Sequence, residues 1–211
     1  KIVDPFPMDE HLRYEKDRIE PELETILDFS DSKGILRAAE KCNGSADCRK
    51  PSFAGGTMCP SYRATKNEKD STRARANALR EVLTTSKETN RFNSEELKKV
   101  FDLCLSCKAC ASECPSNVDV ATLKAEFQFQ YYKTNGIPFR TKLLASNNKW
   151  NNLGSKFPIL TNTILKSSVV KKVMGIASKR SIPKLYKTTF FKWFQKHKES
   201  FKNQTFKNGE L

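Results

Sequence analysis

The chain has 211 residues, of which 38 are lysine or arginine and 24 are acidic, so its formal net charge is +14. This length fits one domain, or one domain with an appendage. No run of about 18 apolar residues exists, which excludes a membrane-spanning helix. No signal peptide is visible either, so we expect a cytoplasmic protein whose cysteines stay reduced.

The amino-terminal half predicts short helices separated by irregular segments. Residues 1–34 contain three prolines among many charges and are predicted to form an irregular lead-in. Residues 33–41 predict a short helix that leads into Cys42. Residues 70–86 predict a longer helix, because apolar side chains recur along one face. Ser94 precedes two acidic residues and an apolar run, which is typical of a helix N-terminus.

The second half predicts one clear helix and a basic extension. Apolar and aromatic side chains recur at steps of three and four from Val120 to Tyr131, and Gly136 follows as a stop. Residues 151–211 contain 13 basic residues against 2 glutamates. No convincing strand pattern occurs, so the sequence predicts an all-α fold. We expect a helical domain over residues 35–150 and a basic helical extension beyond it.

Four of the seven cysteines fall within eleven residues, directly before Pro115. They read C-L-S-C-K-A-C-A-S-E-C-P and are Cys104, Cys107, Cys110 and Cys114. This C-x2-C-x2-C-x3-C-P spacing is the one with which bacterial-type ferredoxins hold iron–sulfur clusters. Three thiolates two residues apart can surround one cluster, whereas the fourth points away and serves a second cluster. The run therefore predicts an electron carrier with two clusters.

The other three cysteines lie upstream, as a C-x5-C pair and a single Cys-Pro: Cys42, Cys48 and Cys59. In two-cluster ferredoxins the cysteine before proline ligates the cluster of the other run. We therefore expect a complete set of four thiolates for a 4Fe–4S cluster: Cys59, Cys104, Cys107 and Cys110. The remaining cysteines form a partial set of three: Cys42, Cys48 and Cys114. Pro60 and Pro115 are expected to end the local helices, so that the chain can leave each cluster.

The partial set lacks a thiolate where a regular spacing would place one, and Ser45 stands there instead. Such a set could hold 3Fe–4S. It could also hold a 4Fe–4S cluster whose fourth iron takes an oxygen from Ser45, Asp47 or water. Cluster potentials depend on cluster type and surroundings. We therefore expect the two clusters to differ in potential, which would give electrons a direction.

Other uses of the cysteines fit the pattern less well. Seven is an odd number for disulfides, and disulfides are rare in a reducing cytoplasm. Structural zinc usually pairs two C-x2-C knuckles at a distance, and a continuous run cannot surround one tetrahedral ion with all four sulfurs. Only His11 and His197 could activate a catalytic cysteine, and both lie in polar, lysine-bearing segments. We assign no catalytic residue.

Two groups of cations allow two interpretations each. Arg73, Arg75 and Arg80 could lie beside an anionic cluster and raise its potential. They could instead form a solvated helix face whose arginines pair with Glu68, Asp70 or Glu81. The segment from Tyr186, Y-K-T-T-F-F-K-W-F-Q-K-H-K, could bind an anionic membrane surface or nucleic acid. It could also be a linker and helix that pack on a domain outside this chain. We favour that last interpretation, and nucleic acid is not an expected partner.

The connecting segments resemble the iron–sulfur region of large bacterial FAD-linked oxidases, relatives of D-lactate and D-2-hydroxyglutarate dehydrogenases. The resemblance is carried by C-N-G-S-A-D-C-R-K, by G-G-T-M-C-P-S-Y-R-A-T-K, and by the cysteine run with S-N-V-D-V-A-T-L-K-A-E-F after it. It covers residues 35–128. The arrangement is also similar to the α-helical ferredoxin fold of the iron–sulfur subunits of succinate dehydrogenase and fumarate reductase. The C-x5-C form occurs in the oxidase family, so Ser45 departs only from the general ferredoxin pattern.

The resemblance implies a relay inside a larger enzyme. In the family, an upstream FAD domain takes two electrons from a 2-hydroxy acid, and iron–sulfur clusters pass them singly toward an acceptor. A cysteine-rich domain often follows downstream. We therefore expect this chain to be a piece of a longer polypeptide, with those two domains as its partners and no complete active site of its own. Peripheral association with the inner membrane surface is a further expected contact.

Overall fold

The computed structural model describes residues 3–12, 14 and 18–202. Every regular element in these ranges is a helix, so the all-α prediction is confirmed. The α-helices are α1 (Ile35–Glu40), α2 (Pro60–Thr65), α3 (Thr72–Thr85), α4 (Glu95–Asp102), α5 (Ala109–Glu113), α6 (Val120–Asn135), α7 (Phe139–Ala145), α8 (Asn147–Gly154), α9 (Pro158–Lys166), α10 (Ser168–Val173) and α11 (Phe190–Lys202). Short 3-10 turns occur at Ser30–Ser32, Asp47–Arg49, Ser52–Ala54 and Glu68–Asp70.

The chain divides into two compact units, Lys1–Gly136 and Ile137–Leu211. All the cysteines lie in the first unit, which also includes the irregular lead-in. The boundary between the two units follows residue 136 of the chain, before the domain boundary predicted at residue 150. The three-part division into residues 1–34, 35–150 and 151–211 stays a prediction.

Three helices of the first unit begin at a side-chain cap. Ser71 opens α3, Ser94 opens α4 and Asp119 opens α6, and each side chain accepts a backbone N–H of the first turn at 3.0–3.1 Å. Such a cap satisfies a backbone donor that has no partner inside the helix. Helix α6 ends at Gly136, whose φ of 75° is left-handed and costs glycine little. The predicted start of α4 and stop of α6 are therefore seen in the structure.

The core of the first unit lies between α1, α3, α4 and α6. Its buried apolar side chains come from all four helices: Ile35, Leu36, Ala39, Ala76, Leu79, Leu83, Leu97, Phe101, Val120, Leu123 and Phe127. Phe101 of α4 and Phe127 of α6 stack with ring centroids 5.2 Å apart. This packing fixes α4 relative to α6, and the cysteine run lies in the chain between them.

Glu126 anchors the lead-in to α6. Its carboxylate is fully buried and accepts the backbone N–H groups of Ile26 (3.1 Å) and Leu27 (2.9 Å), and it also accepts Gln130 Nε2 at 2.8 Å. A buried carboxylate needs such donors in place of water. The lead-in has no helix before Ser30 among its described residues, as predicted, and this contact still holds its end in place.

The second unit consists of α7 to α11 and exposes most of its apolar side chains. Among its described side chains only Ser155 is buried. Residues 137–211 contain 16 basic and 2 acidic residues, whereas residues 1–136 contain 22 of each. The second unit therefore carries the whole net charge of the chain. No helix in the described part of the chain is long and apolar enough to cross a membrane.

Replacing Phe127 by alanine should lower the free energy of unfolding by about 3–5 kcal/mol, because removing a fully buried aromatic ring leaves a cavity. Phe129 lies on the same helix, is 44% exposed and provides the matched control. Phe129→Ala should change the free energy of unfolding by about 0.5 kcal/mol or less. Urea unfolding of identically prepared proteins, followed by far-ultraviolet circular dichroism, measures both values. Equal losses in the two variants would contradict the described core.

Candidate iron–sulfur centre

The four cysteines of the complete set line one pocket. Cys59, Cys104, Cys107 and Cys110 meet there, although Cys59 and Cys104 are 45 positions apart in the chain. Cys59 and Cys110 are buried, Cys104 is half-buried and Cys107 is exposed. The crossed ligation remains a prediction, and this shared pocket supports it.

Left-handed backbone conformations turn the chain around this pocket. Cys59 (φ 56°), Ser106 (φ 52°) and Lys108 (φ 61°) all have positive φ angles. Non-glycine residues adopt this region at a cost of about 1 kcal/mol or more each, and such residues cluster at ligand-binding sites. Pro115 follows the end of α5 as expected. Pro60 was expected to end a helix, but it opens α2, where its missing N–H has no helical partner to lose.

Backbone N–H groups face the sulfur of Cys110. The thiol lies against the N–H groups of Val120 and Ala121 in the first turn of α6. Burial raises the pKa of the Cys110 thiol, and these two N–H groups oppose that rise by favouring the thiolate. The N-terminus of a helix stabilises negative charge for the same reason. Burial has the larger effect on the thiol, and the two N–H groups are donors that a thiolate at this position could use.

Arg75 is a buried cation beside Cys59. It is 1% exposed, and its guanidinium donates to the Val100 carbonyl (3.0 Å), the Ser61 hydroxyl (2.9 Å) and the Asp70 carbonyl (2.6 Å). Its Nη1 also lies 3.8 Å from the sulfur of Cys59. Arg75 is not part of a solvated helix face, because it is buried, but it does pair with the Asp70 carboxylate at 3.7 Å and it also adjoins a predicted ligand.

Lys124 is a second buried cation, beside Cys104. It is 7% exposed, and its Nζ donates to the carbonyl oxygens of Phe101 (2.8 Å) and Cys104 (2.7 Å). Burial lowers the pKa of Lys124; nearby Cys104 opposes this, whereas the positive charge of Arg75 adds to it. The two cations are thus close enough to repel each other.

The charges around the pocket fit an anionic group. Nη2 of Arg75 is buried and has no hydrogen-bond partner within the described ranges. Two neighbouring buried cations are costly unless negative charge offsets them. An iron–sulfur cluster held by four thiolates carries net negative charge and accepts hydrogen bonds at its sulfurs. The donor set of four cysteines, the unpaired N–H group and the two cations are consistent with such a cluster.

The partial set is less closely defined. Cys48 and Cys114 are buried and Cys42 is half-buried. Burial raises the pKa of the Cys48 thiol, the N–H of Arg73 opposes that rise, and neighbouring Cys59 and Cys42 add to it. Cys48 therefore lies near its expected partner Cys42 and also near Cys59 of the complete set.

Ser45 and Asp47, the candidate oxygen ligands of the partial set, differ in their contacts. Ser45 is exposed, and its N–H donates to Asn43 Oδ1 at 3.0 Å. The Asp47 carboxylate pairs with Lys50 at 3.3 Å. Ligation by Ser45 or Asp47 stays a prediction. Over the part of the chain that the structure describes, no group of three or more His, Cys, Asp or Glu side chains is arranged to hold a single metal ion.

Glu113 joins the two cysteine runs. It directly precedes Cys114, and its carboxylate accepts the N–H groups of Thr57 (2.8 Å) and Met58 (2.9 Å) and the Thr57 hydroxyl (2.6 Å). These hydrogen bonds, led by that of the Thr57 hydroxyl, lower the pKa of Glu113. A Cβ on Gly56 would approach Oε2 of Glu113 to 2.6 Å, and its φ of 67° also favours glycine. Glu113, which precedes Cys114 and Pro115, therefore holds the segment that precedes Cys59 and Pro60.

Sequence reasoning missed Glu113 and Lys124. Lys124 had a signal, because it is four residues after Val120 and three before Phe127, on the apolar face of α6. A charged residue at such a position is buried and has a specific partner. Glu113 had no comparable signal, since its partners lie 55 and 56 positions away.

Comparisons with known proteins agree with the site. Residues 41–119 match a family model described as a 4Fe-4S dicluster domain. A D-2-hydroxyglutarate dehydrogenase of Escherichia coli (strain K12) is 26% identical over 171 residues, which cover 65% of this chain and 17% of the relative. One of Haemophilus influenzae is 30% identical over 129 residues, with 46% and 12% covered. No solved structure matches the chain.

The chain therefore spans less than a fifth of the length of these curated relatives. The family model covers all seven cysteines. The relatives are named D-2-hydroxyglutarate dehydrogenases, which are among the enzymes that the sequence was found to resemble. The predicted similarity to the iron–sulfur region of such oxidases is confirmed.

Glu113→Gln should loosen the segment before Cys59. An amide has one acceptor oxygen, and its NH2 group would face the N–H groups of Thr57 and Met58. We expect iron to be lost to a chelator several-fold faster than from the unchanged protein. Glu96→Gln, at an exposed position on α4, is the control and should release iron at the original rate. Similar release rates for all three proteins would show that Glu113 does not hold the site.

Proposed function

From its 4Fe-4S dicluster region, similar to that of D-2-hydroxyglutarate dehydrogenases, we propose that this chain relays electrons through two iron–sulfur clusters. The observation that carries the proposal is the pocket shared by the four cysteines of the complete set. In this proposal the complete set holds a 4Fe–4S cluster. The partial set holds the second cluster, of 4Fe–4S or 3Fe–4S type.

When bound, an iron–sulfur cluster takes up or gives one electron at a time, with a potential set by its charge, hydrogen bonds and exposure. The chain supplies each of these conditions. Cys59 and Cys110 are buried away from water, and the amides of α6 face Cys110. Cys107 is exposed, and the neighbouring Leu105 is 69% exposed. This exposed side of the pocket is where a redox partner can approach closely.

The electrons come from an FAD domain of the same polypeptide that oxidises a 2-hydroxy acid related to D-lactate or D-2-hydroxyglutarate. Conversion of a 2-hydroxy acid to a 2-oxo acid releases two electrons and two protons, which the FAD of that domain would accept together. Two one-electron carriers can then receive those electrons singly while the protons pass to solvent. The names of the relatives, and the small share of their length that this chain covers, support this proposal.

The next acceptor in the proposal is a cysteine-rich domain downstream in the same polypeptide. Residues 137–211 are the linker and helices that pack against neighbouring domains. This role is supported by the exposure of apolar side chains in the unit. Phe157, Ile159 and Phe190 are 67%, 84% and 76% exposed. A unit with so few buried side chains needs a surface to cover it.

Iron counting after anaerobic reconstitution tests the two-cluster assignment. We expect about eight irons per chain if both sets hold 4Fe–4S, and about seven if one holds 3Fe–4S. Cys59→Ala should remove the cluster of the complete set and leave that of Cys42 and Cys48, whereas Cys48→Ala should do the reverse. Iron and sulfide analysis with electron paramagnetic resonance distinguishes the two variants.

Three results would overturn this assignment. Stoichiometric zinc without iron in anaerobically prepared protein would exclude an iron–sulfur function. Iron for only one cluster per chain would exclude the relay. Loss of the Cys42 and Cys48 cluster in Cys59→Ala, with the other cluster intact, would refute the crossed ligation.

A second candidate function is attachment to an anionic membrane surface through α11. This helix carries stacked aromatic side chains, with centroids of Phe190 and Trp193 6.1 Å apart and those of Phe190 and Phe194 6.0 Å apart. The unit has a net charge of +14 and contains only two acidic residues. Basic amphipathic helices with aromatic residues bind anionic bilayers, and each lysine near the surface contributes about 1 kcal/mol.

Sedimentation with phosphatidylglycerol vesicles tests this second candidate. The protein should bind these vesicles and dissociate from them as the salt concentration rises. It should not bind vesicles of phosphatidylcholine. A triple variant, Lys192→Gln with Lys196→Gln and Lys198→Gln, should bind at least tenfold more weakly, since about 3 kcal/mol is removed. A control triple variant in the first unit, Lys87→Gln with Lys98→Gln and Lys99→Gln, should bind normally. Absence of vesicle binding would leave the unit as a surface for neighbouring domains.

A further inference from the structure

The buried charges are distributed unevenly between the two cysteine sets. Among the described residues the buried charged side chains are Asp70, Arg75, Lys124 and Glu126. Both cations in this group lie at the complete set, where Arg75 donates toward the sulfur of Cys59 and Lys124 donates to the carbonyl of Cys104. Glu126 holds the lead-in instead.

The positive charge at the complete set is only partly offset. The Asp70 carboxylate lies 3.7 Å from Nη2 of Arg75, beyond hydrogen-bond distance, and it also accepts the hydroxyl of Thr65 at 2.7 Å. The hydrogen bonds of Lys124 go to two carbonyl oxygens. Carbonyl dipoles solvate an ammonium group but do not cancel its charge. The Asp102 carboxylate also acts on Lys124, but it is exposed and pairs with Lys98 at 3.3 Å. The surroundings of the complete set therefore favour added negative charge.

A cation beside the partial set is screened. Arg49 adjoins Cys48, but its side chain is 43% exposed and pairs with Glu68 at 2.9 Å. A charge that is both exposed to water and paired with a carboxylate acts weakly on its neighbours. The two sets thus differ in electrostatic surroundings as well as in the number of thiolates.

Buried cations and hydrogen bonds to a ligand sulfur act in the same direction. Reduction adds one negative charge, and a positive group in a medium of low dielectric constant stabilises the reduced form more than the oxidised form. Hydrogen bonds to cluster sulfurs and net charge are among the factors that set cluster potentials. Both factors raise the potential at the complete set.

We propose that Arg75 and Lys124 raise the reduction potential of the cluster at the complete set above that at the partial set, so that electrons collect at the complete set. The proposal rests on the two-cluster function. One electron passes from the reduced partial-set site to the oxidised complete-set site, with no bond or proton transferred, and the reductant is the flavin hydroquinone of the upstream domain. The exposed side at Cys107 and Leu105 then becomes the exit toward the acceptor.

Redox titration followed by electron paramagnetic resonance tests this proposal on the reconstituted chain. The complete-set signal, identified by its change in Cys59→Ser, should titrate at the higher potential in the unchanged protein. Arg75→Gln and Lys124→Gln should each lower that potential and leave the partial-set signal in place. We expect about a tenfold change in the electron-sharing equilibrium, which is about 59 mV for a one-electron couple.

Matched variants separate charge from structural damage. Arg75→Lys keeps the positive charge and should restore most of the potential lost in Arg75→Gln. Arg49→Gln removes a cation beside the partial set and should shift neither potential by a comparable amount, because Arg49 is screened. Iron content and thermal unfolding show which variants retain both clusters, and Lys124→Gln tests the proposal independently if Arg75→Gln loses its cluster.

Several results would overturn the proposal while the two-cluster function stands. One is a partial-set signal that titrates at the higher potential. Another is an unchanged complete-set potential in Lys124→Gln with full iron content. Equal shifts of both signals would show a general effect and not a local one. If the unchanged protein holds one cluster or none, the proposed function itself fails, and iron counting alone reveals that case.

Discussion

The first unit depends on closing one long loop of the chain, from Cys59 to Cys104. Cys59 must reach three cysteines that begin 45 positions later in the chain. Closing such a loop costs conformational entropy, and α3 and α4 inside the loop offset it by packing against α1 and α6. Glu113 then fixes the final approach by accepting the N–H groups before Cys59. The cysteine positions therefore depend on the apolar core as much as on cysteine spacing.

The helices could be predicted where their signals are local. The Ser94 cap and the apolar periodicity after Val120 describe interactions within a turn or two, so the structure follows them. Pro60 shows the limit of this reasoning, because a proline can follow the end of a helix or occupy its first position. Its role is decided by the left-handed turn at Cys59, which the sequence does not display.

The residues of the candidate site could likewise be predicted only where their signals in the sequence are local. The spacing of the cysteines predicts two ligand sets, and the structure brings the four cysteines of the complete set to one pocket. Selecting Arg75 from three arginines on one helix requires knowing which side faces Cys59, and that depends on how α3 packs. Lys124 could have been recognised by its place on the apolar face of α6. Glu113 could not, because its interaction is set only after the chain has closed.

The two buried cations also have a consequence for the stability of the fold. Without a bound anionic group, Arg75 and Lys124 repel each other in the pocket, and Nη2 of Arg75 has no hydrogen-bond partner among the described residues. Loading removes that penalty, so insertion of the cofactor also stabilises the fold. An unloaded chain unfolds more often and is exposed to proteases more often. The same charges therefore link the stability of the fold to occupation of the pocket by an anionic group.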